Sequence, residues 1–238
     1  FLEVLFNRFG TNLSLSFSNA KASENEWNEL FEFFENSEFD GLVGFSWASN
    51  PISIELFHFL KRNGQLRSID FDNCFDDNCP ELVKEFSSLL NTSVHLRNVS
   101  VSGSNGKHIG RQILGVIEAC TGHKSLCKMN FPFSHGGDEA LPLIVQLVES
   151  TPELKTLNFE GLCLTDQNSF FDSMMKLSKS KEDLKVNFPL EDLNKFKGIL
   201  SKDDEKELKK AYKTNYTDPS SDSPSLFSIK PASEPLLN

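Results

Sequence analysis

Five cysteines and five histidines are the side chains of this 238-residue sequence best suited to chemistry. Their tightest grouping is Cys120-x-x-His123-x-x-x-Cys127. Two thiolates and an imidazole suit zinc, but a structural zinc site takes four ligands, and no fourth lies nearby in sequence. Cys120 also falls on the apolar side of a helical pattern. The group is therefore read as structural, and no metal is expected. Cys74-x4-Cys79 lacks the two-residue spacing of a zinc knuckle or redox motif, so the cysteines are read as free thiols of a reducing compartment. Four Asn-x-Ser/Thr tripeptides, at Asn12, Asn91, Asn98 and Asn215, weigh against this reading only slightly. Such triplets arise by chance in an Asn/Ser-rich chain, and Asn98 falls within an expected strand.

Gly103-Ser-Asn-Gly106-Lys107-His108 has the flavour of a phosphate loop. A Walker loop needs four residues between its glycines, then Lys and a hydroxyl; here there are two, then Lys-His. It is read as a strand-to-helix loop without nucleotide. His58, His95, His108, His123 and His135 are scattered, with no Ser or Cys elbow beside any of them. A triad assembles from distant residues, but nothing in this spacing points to one. No catalytic residue, no cofactor and no enzymatic activity is expected.

Charge narrows the partners. Lys+Arg is 24 and Asp+Glu is 34, a formal charge of −10. A nucleic-acid binder carries a basic face, so nucleic acid is not an expected partner. The acidic excess is concentrated early: residues 1–60 hold nine acids and two bases. The run from Glu24 to Asp40 is read as a solvated helix face, with docking of a basic partner as its functional alternative. No apolar run approaches the ~18–20 residues of a membrane span. The first residue is Phe1, so the chain is expected to be a fragment or processed product. Phe1–Phe9 is read as the remnant helix of a further repeat.

The elements that would position these residues repeat. The pattern apolar-x-x-apolar-x-apolar fits Leu66/Ile69/Phe71, Leu96/Val99/Val101, Leu126/Met129/Phe131 and Leu154/Leu157/Phe159, starting at 66, 96, 126 and 154, steps of 30, 30 and 28. Leu42/Phe45/Trp47 fits after a shorter step of 24, and Leu15/Phe17 and Val186/Phe188 are weaker copies. Between copies lie apolar faces of helical period: Trp27, Leu30, Phe31 and Phe34 behind the capping-box pair Ser23/Glu26; Leu82, Val83, Phe86, Leu89 and Leu90 behind Pro80; then Ile109 to Cys120, Leu141 to Val148, and Phe170 to Leu177. A strand–helix unit of ~30 residues cannot bury its own apolar face, whereas stacked copies can. Helices are wider than strands (~10 Å against ~4.8 Å), so the stack curves.

The expected fold is thus α/β: a leucine-rich-repeat solenoid, or horseshoe, with a concave parallel sheet and convex helices. Residues 1–200 form the array of about seven repeats, 201–216 a charged helix, and 217–238 a disordered Ser/Pro-rich tail. The spacing resembles the ribonuclease-inhibitor-like class of these repeats. Its Asn or Cys eight residues after the first Leu appears as Asn50 and Cys74, while Ser104, Ser134 and Leu162 fill the slot elsewhere. Val186-Asn-Phe-Pro-Leu-Glu-Asp-Leu-Asn-Lys-Phe196 resembles the terminal repeat of the CARMIL family, which links capping protein, the Arp complex and myosin I. That resemblance implies a cytoplasmic scaffold at the cytoskeleton or cell cortex, organising actin during cell migration, with any membrane association peripheral and through regions outside this chain. Family members also carry a basic, Arg-containing motif after the repeats. Here the last Arg is Arg111, so binding of capping protein is not carried over.

Template positions two, three and five of each strand point away from the core. They place Arg67 and Asp70, Arg97 and Asn98, Lys128 and Asn130, and Lys155 and Asn158 on the concave face, where a protein partner is expected. Arg67, Arg97, Lys128 and Lys155 are expected to form a basic pair of columns, one cation per repeat, facing an acidic partner. Two rival readings remain at this stage: a ribonuclease-inhibitor or NOD-like binding or sensor module, and the repeat part of a larger enzyme.

Overall fold

A computed structural model describes residue 6 and residues 12–75, 79–104, 107–181, 184–188, 201–203, 206, 212–214 and 227–231. Strands β1 (Leu13–Ser18), β2 (Leu42–Ala48), β3 (Ser68–Asp72), β4 (Asn98–Ser102), β5 (Lys128–Asn130), β6 (Thr156–Asn158) and β7 (Lys185–Phe188) alternate with helices. The helices are α1 (Glu24–Asn36), α2 (Ile54–Arg62), α3 (Pro80–Thr92), α4 (Ile113–Cys120), α5 (Ala140–Ser150) and α6 (Gln167–Ser180). The result is an α/β fold with one seven-stranded parallel sheet, its strands side by side in chain order. Each helix packs against the next one along the chain.

Local chemistry explains the element boundaries. Ser23 and Glu26 exchange both bonds of the capping box at the start of α1. Ser53 caps α2, Pro80 occupies the first turn of α3, and the Asp166 carboxylate accepts from the Asn168 and Ser169 amides at the start of α6. The short 24-residue step between β2 and β3 is met by a nine-residue α2, in which Leu56, Phe57, Phe59 and Leu60 are all buried. That helix has no counterpart among the periodic faces read from sequence, because four apolar residues in five leave too little contrast to show a period.

The sheet is buried on one face. In β3, Ile69 and Phe71 are buried while Ser68, Asp70 and Asp72 are half-exposed. Val99 and Val101, Met129 and Phe131, and Leu157 and Phe159 repeat that alternation against the helices. The core is continuous but graded. Around β1–β3 it is aromatic, with Phe34, Phe45, Trp47, Phe57, Phe71 and Phe86 buried; around β4–β6 it is mostly aliphatic.

Turns between elements are tied to their neighbours. The chain leaves β1, β2 and β3 through Asn19, Ser49 and Asn73, each with a positive φ. Each of those amides donates to the end of the next strand, at Ala48, Asp72 and Ser102. Asn50 lies in the buried turn slot. Its side-chain nitrogen donates to Phe17 O (3.1 Å) and its oxygen accepts from Ala20 N (2.8 Å). Cys74 fills the next slot with Sγ 3.1 Å from Trp47 O, and burial pushes its thiol pKa up. Ser134, in the same slot, is buried with no hydrogen-bond partner for its hydroxyl.

Helix ends use a second ladder. Arg62 donates to Phe34 O and Glu35 O, His123 bonds Ser93 O at 2.9 Å, Thr151 donates to Cys120 O, and Lys181 donates to Thr151 O and Pro152 O. These bonds satisfy helix-terminal carbonyls that would otherwise be orphaned. Asn63 goes further. It is 1% exposed, accepts from Leu42 N at 2.8 Å and donates to Phe59 O at 2.9 Å, joining the end of α2 to the start of β2. Asn63→Ala leaves both backbone groups unpaired in the interior and is expected to cost about 1–3 kcal/mol. A urea midpoint unchanged from the parent protein would show that the amide is dispensable.

Beyond β7 two further strands join the sheet antiparallel: β8 (Tyr212–Thr214) and β9 (Phe227–Pro231), in the order β7-β9-β8. Residues 201–216 were expected to be a charged helix. Lys202, Asp203 and Lys206 are helical, but Tyr212–Thr214 is a strand. The tail 217–238 was expected to lack regular structure, yet Phe227–Pro231 pairs with β7. Alternating Phe227 and Ile229 suit such an edge pairing, a signal too short to separate from its Ser/Pro-rich surroundings. The rest of the tail and residues 189–196 of the CARMIL-like stretch lie outside the described residues. Within Phe1–Phe9 only Phe6 is described; it is helical and its ring stacks on Phe39 at 4.0 Å.

Candidate functional site: the open face of the sheet

Two features of the strands create this face. The first apolar residue of each repeat sits at the strand entry, and two residues then precede the next buried position. Both of those residues stand clear of the core. Leu66, Leu96, Leu126 and Leu154 are buried, while Arg67, Arg97, Lys128 and Lys155 are exposed.

Register decides how the cations line up. Backbone bonds of 2.8 Å run from Arg97 N to Arg67 O, from Cys127 N to Arg97 O and from Lys155 N to Cys127 O. Arg67, Arg97, Cys127 and Lys155 therefore share one row. Lys128 does not belong to it. It pairs with Asn98 and Thr156, and Thr156 pairs with Lys185. The pair of basic columns expected from sequence is thus two adjacent rows, one carrying Arg67, Arg97 and Lys155 and the other Lys128 together with Lys185. Counting from the first Leu of each repeat places Lys128 at the third position and Arg67, Arg97 and Lys155 at the second, so parallel register separates them by one residue. Lys185, exposed on β7 and paired with Thr156 at the third position, is a cation the sequence reading missed, because its repeat was recognised only by its last two apolar positions, Val186 and Phe188.

The fifth position forms a polar row: Ser46, Asp70, Ser100, Asn130 and Asn158. Ser46 Oγ donates to Asp70 Oδ2 at 3.2 Å and Asn130 Nδ2 to Ser100 Oγ at 3.0 Å. One row on, Ser102 Oγ donates to Asp72 Oδ1 at 2.7 Å. The face is therefore basic along the strand entries from β3 to β7, and hydroxyl, amide and carboxylate along the strand exits.

Charge elsewhere is neutralised locally in part. Along the helices His58 faces Glu35 (3.1 Å), Lys61 faces Glu85 (2.5 Å), and Arg111 pairs with Glu139. Among the described residues none of Arg67, Arg97, Lys128, Lys155 or Lys185 is in an ion pair. On α1 the carboxylates of Glu24, Glu29 and Glu32 are exposed, and that of Glu26, also exposed, titrates below its ordinary value because the Ser23 backbone and hydroxyl donate to it.

The other candidate groups have structural employment. Cys120 is buried in α4, and burial pushes its thiol up to about 12. His123 accepts from Ser125 N at Nδ1 and meets Ser93 O with Nε2, so both ring nitrogens serve the turn. Cys127 Sγ is 3.4 Å from Ser125 O. The rings of His108 and His135, in the loops after β4 and β5, lie 3.8 Å apart and are tilted by 33° to each other. The backbone crowds there: a Cβ on Gly103 would lie 2.4 Å from Phe133 O. Among the described residues no group of three or more His, Cys, Asp or Glu is placed to hold a metal, and no helix is long and apolar enough to cross a membrane.

In comparison with known proteins, the chain matches no family model and no curated protein.

Proposed function

We propose that this chain is a non-enzymatic protein-binding scaffold, built as a leucine-rich-repeat solenoid, which docks an acidic partner on the open, concave face of its sheet. Three observations support the solenoid. Strand order follows chain order from β1 to β7, whereas doubly wound nucleotide-binding sheets reverse direction at a switch point. One sheet face is buried and the other is not, whereas helices on both faces would bury both. Consecutive helices pack side by side, and their greater width bends the stack toward the strands.

The observation that carries the docking reading is the band of five exposed cations without ion-pair partners on a chain of net charge −10. Each exposed charge is worth little alone. Together, on one face, they steer and select a partner of opposite sign. The likeness of Val186–Phe196 to CARMIL terminal repeats supports a cytoplasmic role in actin organisation at the cell cortex.

The test is a matched pair of variants. The fourfold change Arg67→Glu, Arg97→Glu, Lys128→Glu, Lys155→Glu touches no buried side chain and should leave the circular dichroism spectrum unchanged. Its association rate with the partners recovered by cross-linking from cytoplasmic extract should fall at least about tenfold at low salt, and the salt dependence should flatten. The triple change Glu29→Gln, Glu32→Gln, Glu35→Gln should leave those partners bound. The opposite pattern would move the docking surface to the helix side.

A further inference from the structure

We infer that the occupant of the basic band is an acidic α-helix lying across the strands, and not an extended acidic segment; this rests on the reading of the open sheet face as the docking surface. The argument is one of spacing. The cations advance one strand at a time, Arg67 immediately before β3, Arg97 immediately before β4, Lys128 at the start of β5, Lys155 immediately before β6 and Lys185 at the start of β7. Neighbouring strands lie about 4.8 Å apart, so the four steps span about 19 Å.

A partner that neutralises all five needs carboxylates at a matching interval. On a helix, acids one turn apart recur about every 5.4 Å, giving about 22 Å over four steps. On an extended chain, side chains of one face recur about every 6.7 Å, giving about 27 Å. Centred on Lys128, the helix is out of step by about 1.5 Å at each end and the extended chain by about 4 Å. Long, flexible Arg and Lys side chains take up the first error with little distortion and the second only by leaning well out of line.

The stagger of the band agrees with the same geometry. Lys128 and Lys185 stand one residue further along their strands than Arg67, Arg97 and Lys155. The charges therefore form a stripe two rows wide. A helix carrying acids at both i+3 and i+4 presents a stripe of comparable width, while an extended chain presents a single file. The neighbouring polar row, Ser100, Asn130 and Asn158, offers hydrogen-bonding groups to the flank of the helix.

The experiment measures binding of three labelled probes to the full chain by fluorescence anisotropy at about 50 mM salt. The first is an Ala-rich 21-residue peptide with Glu at i, i+4, i+7, i+11 and i+14. The second has the same Glu positions with two central prolines that abolish the helix. The third is an oligothymidine of equal charge. The helical peptide is expected to bind at least about tenfold more tightly than the proline peptide and the oligonucleotide. Lys128→Gln combined with Lys155→Gln should weaken it by about fivefold or more. Equal binding of both peptides would overturn the helical occupant and leave the basic face standing as a docking surface. Tighter binding of the oligonucleotide would overturn it in favour of a polyphosphate ligand. Binding of the helical peptide that is indifferent to the fourfold charge reversal would overturn both this inference and the docking surface beneath it.

Discussion

Replacing Trp47 with alanine is expected to destabilise the protein by about 3–5 kcal/mol, the range for deleting a buried aromatic. Trp47 is fully buried at the end of β2. Its ring lies 4.9 Å from Phe17, 5.7 Å from Trp27, 5.6 Å from Phe45, 6.3 Å from Phe34 and 6.5 Å from Phe31, so it joins two strands to α1. The indole N–H donates to Pro51 O at 2.8 Å, which holds the turn leaving β2. Alanine removes both the packing and the donor. Trp47→Phe keeps one ring of the packing and loses the donor and part of the buried volume, so it should cost less, about 1–3 kcal/mol. Urea unfolding followed by far-ultraviolet circular dichroism separates the two. A loss under about 1 kcal/mol for the alanine variant would mean that the aromatic cluster is not the core of this half of the sheet.

Leu157→Ala should cost about 2–5 kcal/mol. Leu157 is fully buried on β6, between Met129 of β5 and Val186 of β7, in a core that includes Leu154, Phe159, Phe170 and Met174, each at most 1% exposed. Its surroundings are mainly aliphatic, so the cavity has few rigid rings to hold it open, and partial collapse would place the cost toward the lower end. Trp47 and Leu157 share no partner and lie on strands separated by three others. Their effects should therefore add to within about 0.5 kcal/mol. A double variant markedly more stable than the sum would show that the two halves of the core are coupled through the stack.

The repeat was legible because burial imposes it. A one-faced parallel sheet needs apolar residues at the same strand positions in every copy, and Leu66, Ile69 and Phe71 recur in kind at 96, 126 and 154. Helix starts were legible for a similar reason. Ser23 with Glu26, and Pro80, satisfy or remove orphan amides by local chemistry alone. The turn slot at Asn50 and Cys74 was legible only through the resemblance to ribonuclease-inhibitor-like repeats, which implies an Asn or Cys eight residues after the first Leu. The helix Ile54–Arg62 and the strand Phe227–Pro231 were not legible, the first for want of polar contrast and the second for want of length.

Side chains whose partners lie one repeat away were beyond local reading. Thr151 and Lys181 resemble ordinary polar residues at helix ends, and only the stacked neighbour supplies the backbone groups they satisfy. The basic face divides along the same line. Its existence follows from sequence, since template positions two and three must lie off the core, and that placed Arg67, Arg97, Lys128 and Lys155 together. Its pattern belongs to the tertiary structure. Parallel register, set by backbone hydrogen bonds between strands about 30 residues apart, fixes which cations share a row and brings Lys185 into the row of Lys128. Sequence determined which side chains face outward, because burial acts on each strand separately; the fold decided which of them stand beside one another, because register exists only between strands.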